Sequence, residues 1–86
     1  MNLDQIKSTL TQIIQYGDIN FSPAAQYCMQ IVQAAESGQM SNDEIKEILL
    51  DVQRQINIIN DIGGLQIKEN LNLCINALII VAGFVL

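Results

Sequence analysis

The fold of this 86-residue chain is decided by residues 56–67, Ile-Asn-Ile-Ile-Asn-Asp-Ile-Gly-Gly-Leu-Gln-Ile. On both sides of the two glycines, apolar residues recur every three or four positions, which is typical of amphipathic helices. The apolar seam runs in phase from Ile45 to Val85, with one four-residue insertion near Gly63. Two adjacent glycines nevertheless cost about 2 kcal/mol relative to alanine inside a helix. The glycines therefore either form a turn between two helices or lie within one long, kinked helix.

A first helix is predicted over residues 3–16, where apolar residues recur at helical spacing. Gly17 follows as the residue that ends this helix, because glycine adopts φ > 0 at little cost. In the loop that comes next, we expect Ile19 and Phe21 to lie beneath the helices.

A second helix is predicted over residues 23–37. Ser22 is expected to cap its free amide groups, and Pro23 suits the first helical turn. Gly38 ends the helix. One face carries small side chains that allow a neighbouring helix to approach closely, namely Ala25, Cys28, Val32 and Ala35.

A third helix is predicted to begin near Asn42. Ser41 and Glu44 have the spacing of a capping box, in which each side chain accepts a hydrogen bond from the other residue's backbone amide. Further along this helix, Asp51 and Arg54 lie three positions apart, and we expect them to form an ion pair.

The C-terminal segment, residues 71–86, contains no charged side chain. As a helix it would be about 24 Å long, whereas a membrane span usually needs about 20 apolar residues. Extending the segment back to Gly63 supplies the length but places Lys68 and Glu69 inside the span. A helix that is apolar on nearly all sides must be shielded from water on all sides. Its surroundings are copies of the same helix, a groove in a larger protein, or lipid.

The residues predicted to contact other chains lie on this segment. Asn72 and Asn76 share one helix face, and they either set the register between associating helices or face solvent. The substitution Leu78→Asp is expected to abolish assembly and to leave the N-terminal helices folded. The apolar members of the predicted interaction site are Leu71, Cys74, Leu78, Val81 and Val85.

Composition argues against several functional classes. The net charge is −5 and the sequence has no basic stripe, so we do not expect nucleic acid as a partner. The chain has no histidine, and its serines fall near helix ends or on a polar face, so no nucleophile and base are paired. The two cysteines fall at apolar helical positions and are expected to be buried thiols. We predict no enzymatic activity, no cofactor and no bound metal.

Two local patterns resemble metal sites, and both have simpler explanations. Residues 38–44 match the second half of a calcium-binding EF-hand loop, but Ala35 occupies a position that needs an oxygen ligand. The end of one helix and the capping box of the next explain the same residues. Asp43, Glu47 and Asp51 share a helix face, but the second ligand helix of a dimetal site is missing. We expect that face to be solvated.

Residues 38–55, which begin Gly-Gln-Met-Ser and end Asp-Val-Gln-Arg-Gln, are followed downstream by residues 77–83, Ala-Leu-Ile-Ile-Val-Ala-Gly. Together they resemble small helical proteins encoded among the structural genes of tailed bacteriophages. The resemblance covers about the C-terminal half of the chain and lies in composition and position. It implies a virion component of the tail, neck, baseplate or interior, and it assigns no functional residue.

We therefore predict an all-α protein of three to four helices, a helical hairpin or bundle with a long or kinked C-terminal helix. Residues 1–86 form a single domain, in which residues 1–40 are a helix pair and residues 41–86 are the C-terminal helix. The predicted function is a virion assembly subunit, made in the host cytoplasm, that oligomerises or docks on larger virion proteins through residues 71–86. The alternative is a membrane-active protein, holin-like or pore-forming during ejection, that inserts the same segment into the host membrane.

Overall fold

In the computed structural model, which describes residues 2–60 and 62–82, the chain folds back at the two glycines. One helix ends at Ile58, a 3-10 turn covers Ile62–Gly64, and the next helix begins at Leu65. Of the two alternatives, the turn is confirmed and the continuous helix is wrong. The apolar seam keeps its phase through the turn because both helices bury one face against the same core.

The described part of the chain forms four α-helices arranged as a bundle. They are α1 (Leu3–Tyr16), α2 (Ser22–Glu36), α3 (Asn42–Ile58) and α4 (Leu65–Ala82). Each helix packs against its two neighbours in the cyclic order α1, α2, α3, α4, and α2 and α3 are the most loosely packed neighbours. Because the connections are short, successive helices are antiparallel. The prediction of an all-α, bundle-like fold is confirmed.

Side-chain caps begin α1 and α3. Ser41 Oγ accepts a hydrogen bond from Glu44 N at 3.2 Å, and Glu44 Oε1 accepts one from Ser41 N at 3.4 Å. The predicted capping box is therefore confirmed. Asn2 and Gln5 form a second capping box at the start of α1, a feature absent from the predictions above. At the other end of α1, Gly17 has φ 76°, in the left-handed region predicted for it.

The start of α2 differs from the prediction. Ser22 is the first residue of the helix and lies buried, so its assignment as the cap is wrong. No side chain of the described residues caps α2. Asp18 instead holds the turn before the helix, because its Oδ1 accepts hydrogen bonds from the backbone amides of Asn20 at 2.8 Å and Phe21 at 3.1 Å. A carboxylate that binds the amides two and three positions later forms an Asx turn.

One apolar core lies between all four helices. Phe21 is buried in it as expected, but Ile19 is 88% exposed, so the prediction for Ile19 is wrong. The turn held by Asp18 leaves Ile19 outside the bundle. The other buried apolar residues are Ile6, Leu10, Ile13, Ala25, Cys28, Ile31, Val32, Ala35, Ile45, Leu49, Val52, Ile56, Leu71, Cys74, Ile75 and Leu78.

The apolar C-terminal segment is not confirmed as a unit. The structure follows it as part of α4 as far as Ala82, and residues 83–86 lie outside the described residues. Up to that point, α4 has one face in the core and another in solvent.

Candidate interaction surfaces

Polar side chains of the described residues assemble no metal site. Within residues 2–60 and 62–82, no group of three or more His, Cys, Asp or Glu side chains is placed to hold a metal ion. Asp51 and Arg54 form the predicted ion pair on the surface of α3. Because both side chains are mostly exposed, this pair contributes little to stability.

The two cysteines are free thiols inside the core, as predicted. Burial raises the pKa of the Cys28 thiol from 9.0 to about 12, and the neighbouring Cys74 adds to the rise. Burial also raises the pKa of Cys74, and a hydrogen bond with the Thr9 side chain opposes that rise. Since the thiolate is the reactive form of cysteine, the fold keeps both thiols unreactive at neutral pH.

The apolar residues of the predicted interaction site face the interior of this chain. Leu71, Cys74 and Leu78 are buried between the helices, and Val81 is half-buried against the same core. Val85 lies outside the described residues. The inner face of α4 therefore contributes to the fold of its own chain.

The two predicted asparagines bind α3 of the same chain. Asn72 Nδ2 donates to Asn57 Oδ1 at 2.9 Å, and Gln53 Nε2 donates to Asn76 Oδ1 at 2.8 Å. The two pairs advance by one helical turn in opposite directions along α3 and α4. These hydrogen bonds therefore define the register of the antiparallel pair.

A lysine closes the turn between α3 and α4. Lys68 Nζ donates to the backbone carbonyls of Asn57 and Ile59, both at 3.1 Å. These carbonyls lie at the end of α3, where unpaired acceptors favour a cation. Lys68, which weakened the expectation of a membrane span, thus joins the two helices.

The outward face of α4 carries a second apolar line. Leu73 is 59% exposed and Ile80 is 63% exposed, and the half-buried Ala77 lies between them. Steps of four and three residues place these side chains on one side of the helix. Leu73, Ala77 and Ile80 are called the outer seam of α4 below.

The register of the α3–α4 pair places Leu50 of α3 level with one end of the outer seam. The hydrogen-bonded register continues one turn from Gln53 and Asn76, and it brings Leu50 beside residues 79 and 80. Leu50 is partly exposed as well. The sequence shows the outer seam only as apolar residues at heptad spacing and does not show that they are exposed. Its exposure depends on which face of α4 the other helices cover.

A groove of 270 Å³ lies between α2 and α3, the most loosely packed neighbours. Val52 and Ile56 contribute buried apolar surface from α3. The lining residues of this α2–α3 groove are Asn20, Pro23, Ala24, Tyr27, Val52, Gln55, Ile56 and Ile59.

Two strongly exposed isoleucines are next in sequence to residues that line the α2–α3 groove. Ile19 is 88% exposed and Ile58 is 81% exposed, the highest values among the large apolar side chains of the described ranges. Each is the chain neighbour of a lining residue, Asn20 or Ile59.

Charge is unevenly distributed over the bundle. Between Ser8 and Ala35, Asp18 is the only charged residue, so the exposed face of α2 is rich in uncharged glutamine. By contrast, α3 carries acidic and basic residues along its length. They are Asp43, Glu44, Lys46, Glu47, Asp51 and Arg54.

No helix within the described ranges is long and apolar enough to cross a membrane. Comparisons with known proteins find no match: no protein-family model, no curated protein and no solved structure is significantly similar to this chain.

Proposed function

We propose that this chain is a non-enzymatic assembly subunit that associates with a second copy of itself through the outer seam of α4. The observation that carries the proposal is the exposure of Leu73 and Ile80 on a helix whose opposite face already fills the core. Large apolar side chains at heptad spacing on a helix surface are typical of helix–helix association.

An antiparallel pairing of two α4 helices suits the outer seam. Such a pairing puts Leu73 of one copy against Ile80 of the other. Ala77 then lies near the two-fold axis, where its small side chain allows the helices to approach closely. Because the same patch meets itself, the assembly closes as a dimer.

The proposed dimer is a weak one. The outer seam occupies one helix face, so the buried area falls below the roughly 800 Å² per partner of a standard interface. A net charge of −5 on each copy also opposes association. We therefore expect a dimer that dissociates on dilution and that salt strengthens by screening this repulsion.

The proposal includes a place in a bacteriophage virion, with larger virion proteins as further partners. This part of the proposal is supported by the resemblance of residues 38–55 and 77–83 to small phage structural proteins. The alternative function, insertion of residues 71–86 into a membrane, requires Leu71 and Leu78 to leave the core. The experiment below separates the two functions.

Light scattering coupled to size exclusion, at several protein concentrations and with and without mild detergent, tests self-association. The seam variant carries Leu73→Glu and Ile80→Glu. A matched control carries Gln26→Glu and Gln33→Glu, which add the same charge at the same spacing on exposed positions of α2. Circular dichroism checks that both variants keep the helix content of the original chain.

We expect the original chain and the α2 control to dimerise with rising concentration, and the seam variant to stay monomeric. A monomer at every concentration, or a seam variant that dimerises normally, would contradict the proposal. A mass that depends on detergent would replace it with membrane association.

A further inference from the structure

We propose that the α2–α3 groove of one copy binds the outer seam of α4 of the next copy, so that the chain assembles head to tail. The inference rests on the outer seam as the associating surface of the proposed function, and it adds a second surface that the outer seam fits. It does not depend on the antiparallel dimer.

Both surfaces are free of charge. Every residue that lines the α2–α3 groove is uncharged. On α4, no charged residue follows Glu69 up to Ala82, where the described part of the helix ends. Because each copy has a net charge of −5, association is least opposed where neither surface presents a carboxylate. An uncharged groove therefore suits an uncharged helix face of the same chain.

The two surfaces also match in length. On α3, the groove extends from Val52 to Ile59, and the outer seam extends from Leu73 to Ile80. Both spans advance by seven positions, which is about 10 Å along a helix. Two turns of α4 therefore cover the groove, and no longer helix is needed.

The groove has room for the apolar side chains of the outer seam. A dry apolar cavity of about 150 Å³ holds a benzene molecule, so the 270 Å³ groove accommodates the side chains of Leu73 and Ile80. Inside the groove they meet the apolar surface of Val52 and Ile56. Ala77 lies between them and, being small, allows α4 to approach the groove closely.

The outer seam of a chain cannot fill the groove of the same chain. In the cyclic order of the bundle, α4 lies diagonally across the core from α2, and its outer seam faces away from that core. A copy whose groove is filled therefore still presents its own outer seam to the next copy. A contact between two different surfaces repeats as an open chain or closes as a ring.

The head-to-tail contact and the antiparallel dimer compete for the outer seam. In the dimer, two outer seams meet and both grooves stay empty. In the head-to-tail assembly, every added copy forms one further contact, so rising protein concentration favours it over the dimer by mass action. Protein concentration therefore selects between the two partners of the outer seam.

Two variants separate the surfaces. The seam variant keeps an intact groove. A groove variant, Tyr27→Glu with Gln55→Glu, places one carboxylate on each side of the groove and keeps the outer seam. Tyr27 is 46% exposed and Gln55 is exposed, so both substitutions lie outside the core. The α2 control adds the same charge outside the groove, and circular dichroism checks that all variants keep their helix content.

Amide chemical shifts of the ¹⁵N-labelled seam variant, titrated with the unlabelled groove variant, report whether an outer seam enters the groove. In this mixture the labelled chain has the only intact groove and the titrant has the only intact outer seam. We expect the amides of residues 20–27 and 52–59 to shift. Unlabelled seam variant, used as the control titrant, should leave them unchanged. A labelled chain with all four substitutions should bind the groove variant about tenfold more weakly.

Light scattering gives the corresponding masses. We expect the original chain and the α2 control to exceed the mass of a dimer at high concentration. The groove variant should stop at the dimer, because its outer seams still meet each other. The seam variant should stay monomeric.

The outcomes distinguish this inference from the proposed dimer. Unchanged groove amides, together with a groove variant that dimerises, would overturn the inference and leave the dimer intact. Groove amides that shift while the groove variant stays monomeric would support the inference and contradict the dimer. A groove variant that grows beyond the dimer as the original chain does, or equal shifts with both titrants, would also overturn the inference.

Discussion

Leu73 and Leu78 lie on the same helix, yet the first is 59% exposed and the second is 1% exposed. The sequence analysis expected Leu78 to contact other chains, so that an aspartate there would spare the N-terminal helices. In the structure Leu78 belongs to the core that all four helices share. An aspartate at this position therefore affects the whole chain.

At the residue scale, we predict that Leu78→Asp unfolds the whole molecule. A buried, unpaired carboxylate costs more than about 4 kcal/mol, which is close to the total stability of a small domain. Urea denaturation followed by circular dichroism measures the change. Leu73→Asp is the control, and we expect it to cost roughly 0.5 kcal/mol because the site is exposed. Retention of the helicity of α1 and α2 in Leu78→Asp would contradict the prediction.

At the scale of the element, the start of α2 is held by a residue outside the helix. Asp18 accepts two backbone hydrogen bonds in the turn that precedes the helix, and Ser22 lies inside the first turn. Sequence rules selected Ser22 because a serine followed by proline is a common start signal. These rules do not show that a separate turn, held by the Asp18 carboxylate, can come just before Pro23.

We predict that Asp18→Ala destabilises the chain by about 1 kcal/mol, the usual net cost of lost hydrogen bonds in a turn. The effect should persist in Asp18→Ala at high salt, because it comes from direct hydrogen bonds rather than from long-range charge. The matched substitution Ser22→Ala should cost less, because an alanine fits the first turn of a helix. Free energies of unfolding in urea compare the two, and a larger loss for Ser22→Ala would show that Asp18 does not hold the start of α2.

At the scale of the whole molecule, the single core links the two cysteines to global stability. Both thiols have a raised pKa in the folded chain because burial disfavours the thiolate. The unfolded chain therefore releases these protons at lower pH than the folded chain. This contribution to stability is fully present below about pH 9, and it is lost as pH rises towards the folded pKa values.

We predict that the free energy of unfolding falls as pH rises above 9.0, the ordinary pKa of the Cys28 thiol, towards its folded value of about 12. In this window the Cys28 thiol contributes up to about 1.4 kcal/mol per pH unit, and the raised pKa of Cys74 acts in the same direction. The double variant Cys28→Ala, Cys74→Ala should show a shallower slope, because it lacks both buried thiols. Identical slopes in the two proteins would show that burial does not perturb the thiols.

The all-α fold was largely accessible from the sequence because its signals are local. Apolar spacing located α1 and α3, and the capping box at Ser41 located the start of α3 to the residue. The outcome at Gly63 and Gly64 was not accessible. The phase of the apolar seam is the same whether the helix continues or folds back. The choice between the two structures depends on the free energy gained when the apolar faces of α3 and α4 are buried in one core.

Taken alone, the sequence determined the helix type, most helix boundaries and the burial of the two cysteines. These properties depend on backbone propensity, capping and spacing within a few residues. The tertiary structure decided which apolar line of α4 faces inward, because Leu71–Leu78 and Leu73–Ile80 have the same helical spacing. It also created the α2–α3 groove, which depends on how closely two helices pack. Residues distant in sequence decide both features, so a local pattern cannot encode them.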